Sequence, residues 1–123
     1  MTITGLAFAM ALNMAAMNMA NMANMADVQD NARKAFNNCL VEEHNSAVEA
    51  KKSGAEFNEQ IAAACVDTRK TYHDLIVKAE RGFGSKPAEA EEYAKEEIQA
   101  VVDSITAAFG ENVSSGARLQ AEK

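Results

Sequence analysis

With 123 residues, the chain holds at most one domain of ordinary size. It carries 18 acidic against 12 basic side chains, a formal charge of −6, and contains no tryptophan and one proline. Its basic residues fall in scattered pairs flanked by acids (Arg33-Lys34, Lys51-Lys52, Arg69-Lys70), not in the cationic cluster that phosphate binding requires, so nucleic acid is excluded as a partner.

Residues 1–26 contain no charged side chain and all seven methionines, five of them in MAAMNMANMANMA (Met14 to Ala26). Thr2 to Met17 is an uncharged apolar run with the length of the hydrophobic part of a secretory signal peptide, and Ala20, Ala23 and Ala26 offer small residues for cleavage. Two features depart from that pattern: no Lys or Arg precedes the run, and asparagine occupies the −3 position of each candidate site. A retained membrane span is disfavoured, because Asn13, Asn18, Asn21 and Asn24 would each carry an amide into lipid. Membrane contact is therefore expected only through this segment, and only if it is not cleaved. The alternative is copper. Thioethers select Cu(I), and Met14, Met17, Met19, Met22 and Met25 have the spacing of methionine-rich copper motifs. Low-complexity Asn-Met-Ala repetition is the plainer reading, and no cofactor is expected.

From Asp27 onward the chain is rich in Ala, Glu, Lys, Gln and Val, without alternating β-branched runs, so the expected class is all-α. The first helix of the domain is expected over about 28–52, with Ala32, Phe36, Cys39, Leu40, Ala47 and Ala50 on its apolar stripe. Glu43 falls in the middle of that stripe and His44 at its edge. "KKSGAEF" breaks the pattern, and Ser53 with Glu56 has capping-box spacing. A second helix is expected over about 55–81, with Phe57, Ile61, Ala64, Cys65, Thr68, Tyr72, Leu75 and Ala79 on one face. Val66 and Val77 on its far side imply contact with a further helix. "GFGSKP" ends it, by glycine at a left-handed C-terminal position and an early proline in the next helix. The third helix is expected over about 87–109, with Ala90, Ala94, Ile98, Val101, Val102, Ile105 and Ala108 together. Residues 110–123 show no period and are expected to form a disordered tail. The expected fold is thus an antiparallel helical hairpin plus a third helix, a three-helix bundle over 27–109 preceded by a signal-like segment, 1–26.

Cys39 lies about fourteen residues before the turn at Ser53-Gly54 and Cys65 about twelve after it. In an antiparallel hairpin this places them within about one helical turn of each other on facing stripes. A disulfide is favoured over two buried free thiols, and it would close a loop worth about 3.5 kcal/mol in the chain-entropy model. Without a Cys-x-x-Cys pair there is little support for zinc or thioredoxin-like chemistry.

No catalytic constellation emerges, and an enzyme is not expected. His44 and His73, the only histidines, are expected about 15 Å apart along the hairpin at helical rise. Glu43 beside His44 is the one polar group out of place on an apolar stripe, hence a candidate functional pair; the plainer reading has Glu43 reaching solvent or a lysine. In "TYHDL" (Thr71 to Leu75) a helix sends Tyr72, His73 and Asp74 in three directions. "RGFGSKP" lacks the strand and spacing of a phosphate loop and reads as a turn, and "AEAEEYAKEE" reads as a solvated helix face.

The pairing of "FNNC" (Phe36 to Cys39) with "AAACVDTRKTY" (Ala62 to Tyr72) across a capped turn resembles small exported bacterial helical proteins with one cysteine on each arm of a hairpin. The resemblance covers about 27–109, implies an envelope location, and carries over no catalytic residue. The expectation is an exported, periplasmic or secreted, disulfide-stapled binding or structural module of unknown ligand, open to a protein partner or to self-association, and a cytoplasmic one if Cys39 and Cys65 are free thiols.

Overall fold

The computed structural model describes the backbone of residues 3–123 and the side chains of residues 23–123. Four helices lie among the described residues: α1 (Ile3–Glu49), α2 (Gly54–Ala63), α3 (Val66–Gly82) and α4 (Pro87–Asn112). The class is all-α, as composition requires. The count corrects the expected three-helix bundle, because the helix expected over 55–81 is two helices.

The extra break falls at Ala64-Cys65, where no glycine or proline announces it. Ala64 is extended (φ −87°, ψ 159°) and Cys65 is left-handed (φ 59°, ψ 37°). A left-handed cysteine costs about 1 kcal/mol or more, so tertiary contacts must hold it. Cys65 is bonded to Cys39 of α1. The Arg69 guanidinium donates to the carbonyls of Ile61 and Ala62, groups that a terminating helix leaves without partners, and lies 5.5 Å from the centre of the Phe36 ring. The bend turns α2 so that Phe57 and Ile61 enter the core. There Phe57 stacks on Phe109 of α4 at 4.2 Å.

α3 packs along both α1 and α4, and α2 bridges α1 to α4. The core comprises Phe36, Leu40, Ala47, Phe57, Ile61, Tyr72, Ile76, Ala94, Ile105 and Phe109 with their neighbours. On α1 the buried line is Phe36, Leu40, His44, Ala47, a helical stripe rotated from the expected one, and Ala50 is exposed. α1 also runs without interruption through Asp27, consistent with a chain free of Gly and Pro between Leu6 and Ser53.

The end of the chain differs from the expected disordered tail. α4 continues to Asn112, the chain turns at Gly116 (φ 77°), and the remainder lies along α1. The Asn45 amide exchanges two hydrogen bonds with the backbone of Leu119 (2.9 and 3.0 Å), and Asn38 does the same with Glu122 (2.8 and 3.0 Å). Seven helical residues span about 10.5 Å and three extended residues about 10 Å, so two asparagines two turns apart match Leu119 and Glu122. Glu122 also forms a two-pronged ion pair with Arg33.

Candidate functional site

An open groove of about 400 Å³ lies between α1, α3 and α4. Helical spacing builds its walls: Asp30 and Arg33 are three apart on α1, Tyr72 and Ala79 seven apart on α3, and Tyr93 and Glu97 four apart on α4. Glu80, Phe83 and Met25 complete the mouth. Phe83 and Tyr93 are 58% and 40% exposed. Tyr72 is 2% exposed, and its hydroxyl makes no hydrogen bond among the described residues. Burial pushes the Tyr72 phenol up from its ordinary pKa, and the negative charge of Glu97 adds to this. The same Glu97 charge is the main cause of the upward shift at Tyr93. Both phenols therefore stay protonated beside one carboxylate.

Arg33 is tied off at the rim. Its Nε donates to Asp30 and its terminal nitrogens to Glu122, which raises the guanidinium pKa, chiefly through Glu122, and lowers that of both acids, chiefly through Arg33. Glu80 accepts from the Ser85 hydroxyl at 3.1 Å. The charge left over in the groove is negative.

The sequence-derived candidates distribute as follows. Cys39 and Cys65 form a disulfide, with Cα atoms 6.0 Å apart. Glu43 and His44 exchange the places expected of them. His44 is fully buried, edge-on to Phe57 and Phe109. Because Asn45 Oδ1 already accepts from the Leu119 N–H, it is an acceptor for His44 Nδ1–H at 2.9 Å, and Nε2 accepts from Asn112. Both imidazole nitrogens are thereby occupied within a packed core. Glu43 sits at the flank and accepts from Gln60, which in turn accepts from Lys52. The pair thus belongs to two separate structural networks. Of the copper candidates, Met25 lines the groove, and the side chains of Met14, Met17, Met19 and Met22 lie outside the described residues.

In "TYHDL" the three side chains do not all diverge. Tyr72 points inward, but Asp74 accepts from His73 Nδ1 (2.9 Å) and Glu91 of α4 from Nε2 (2.7 Å). Two carboxylates on one ring raise the His73 pKa, Asp74 more than Glu91. An imidazolium held at both nitrogens is an inter-helix tie and leaves neither nitrogen free to act as a base. Among the described residues no group of three or more His, Cys, Asp or Glu side chains is arranged to hold a metal ion, and no helix is long and apolar enough to cross a membrane.

The groove itself went unseen in the sequence. Tyr72 reads as core and Tyr93 and Glu97 as parts of a solvated run, and only the packing of α4 on α3 sets them opposite each other. The signal available was Tyr93, an aromatic set within an acidic run. No protein-family model, curated protein or solved structure matches this chain.

Proposed function

We propose that this protein is an exported, disulfide-stapled helical module that binds a small ligand in the α1–α3–α4 groove. The observation that carries the binding reading is Tyr72, a side chain only 2% exposed that lines the groove and whose hydroxyl keeps solvent access and makes no hydrogen bond among the described residues. A polar group left free at the floor of a concave site is available to orient a ligand. The Cys39–Cys65 bond supports an oxidising compartment, since disulfides persist where the surroundings are oxidising. The uncharged apolar run before Asp27 supplies the matching address.

Intact mass of protein expressed in an exporting bacterium, alkylated with and without prior reduction, tests the compartment. The expected product begins near Asp27 and takes up alkyl groups only after reduction. A full-length product with two thiols that alkylate directly overturns export and returns the methionine segment to first consideration.

A further inference from the structure

We propose that the groove takes an aliphatic primary amine, its ammonium head between the Tyr72 and Tyr93 rings with Glu97 as counter-ion and its alkyl tail along Ala79 and Phe83. This rests on the reading of the groove as a binding site and adds the chemistry of what fills it.

Three properties select that class. The fixed charges on the lining are Asp30, Arg33, Glu80 and Glu97. Arg33 is committed to Asp30 and to Glu122, so the carboxylates of Glu80 and Glu97 stand in excess and an anion is repelled. The walls are aromatic: Tyr72, Tyr93 and Phe83 offer rings of the kind that attract a cation. The Tyr72 hydroxyl then selects among cations. A primary ammonium donates to its oxygen, giving the hydroxyl a partner that the described residues do not supply. A quaternary ammonium has no N–H and leaves the hydroxyl as it stands. The Ala79 side chain leaves room for a tail that Phe83, more than half exposed, would cover.

The protein supplies its own reporter. It contains no tryptophan and two tyrosines, and both line the groove, so the tyrosine fluorescence of the full chain reads that site alone. Titration with n-butylamine, 1,4-diaminobutane, n-butanol and butyrate is expected to give a saturable change with the two amines only. Binding should weaken as salt screens it. Glu97→Gln, a change of charge without change of size at a half-buried position on the groove wall, should weaken butylamine binding about tenfold, the loss of one charge-assisted hydrogen bond. Tyr72→Phe, read through Tyr93, should weaken it by a smaller factor, and an unchanged thermal midpoint in circular dichroism certifies both variants. Butanol or butyrate binding as tightly as butylamine overturns the amine and leaves the groove a binding site. Amine binding that is indifferent to Glu97→Gln overturns the assignment of the counter-ion and with it the proposal. No saturable change with any of the four compounds overturns the groove itself.

Discussion

Two of the chain's bends, at Ser53 and at Cys65, have different authors. At Ser53 the instructions are local. The Ser53 side chain accepts from the Glu56 N–H at 3.2 Å and the Glu56 carboxylate from the Ser53 N–H at 3.0 Å, a complete capping box. At Cys65 the local contacts are the Thr68 hydroxyl on the Cys65 carbonyl and the Arg69 guanidinium on those of Ile61 and Ala62, and no sequence signal announces a turn. The residues around it are alanine and valine, the helix start has no side-chain cap, and the backbone is left-handed. The second bend exists because Cys39, Phe36 and Phe109 stand where they do on other helices. A turn written in four consecutive residues survives in isolation, whereas a turn written across the fold must be held by it.

The largest expected effect comes from removing what holds the second bend. Replacing both cysteines by alanine should lower unfolding stability by about 3.5 kcal/mol, the chain-entropy value for a loop of this length, read as the urea midpoint by circular dichroism. A companion variant separates the staple from the bend. With Cys39→Ala in place, Cys65→Gly relieves the left-handed strain and should exceed Cys65→Ala in stability by about 1 kcal/mol if packing alone keeps the bend. If α2 and α3 instead straighten into one helix without the disulfide, alanine wins by a similar margin, and the disulfide is the sole cause of the fourth helix.

A smaller loss, about 1 kcal/mol, is expected for Ser53→Ala, since the cap satisfies one backbone donor of a ten-residue helix. Hydrogen exchange should place that loss in α2 and its contacts with α1 and α4, and leave the middle of α3 as protected as before. Uniform loss of protection through α3 would mean that the first bend, too, is set by the whole fold.

This contrast explains which parts of the molecule were legible in advance. The helix class, the capped turn at Ser53, the glycine-proline turn before α4 and the facing of Cys39 and Cys65 all follow from short-range spacing. The break at Cys65 does not, because the apolar period runs through it from Phe57 to Ala79 without a fault. The rotation of α1 that buries His44 in place of Glu43 is a choice of about one residue step around a helix. Partners decide it: Phe57, Phe109 and Asn112 take up the imidazole, and Gln60 takes up the carboxylate. The docked tail was hidden for the same reason. Leu119 and Glu122 show no periodicity of their own, and their order is borrowed from Asn45 and Asn38, more than seventy residues away in sequence.

The smallest effect puts a local and a distant partner on a single side chain. His73 is held by its neighbour Asp74 and by Glu91 on another helix, and together they raise its pKa above the ordinary 6.5. A raised imidazole pKa means that the folded state binds the proton more tightly than the unfolded chain. The stabilisation is therefore fully present below the ordinary value and disappears as pH climbs through the folded one. Exposure keeps it under about 1 kcal/mol, visible as the difference in urea midpoint between wild type and His73→Gln, compared at about pH 5.5 and 8.5, on either side of the imidazole range. Asp74 contributes more to the shift in the folded protein, yet it is adjacent in sequence, and Lys70 already draws on its charge there. An adjacent carboxylate stays near the ring when the chain unfolds, so part of its influence cancels. Glu91, eighteen residues away, leaves altogether. Glu91→Gln should consequently remove more of the pH-dependent stability than Asp74→Asn. The reverse order would show that the pairing with Asp74 is itself made by the fold.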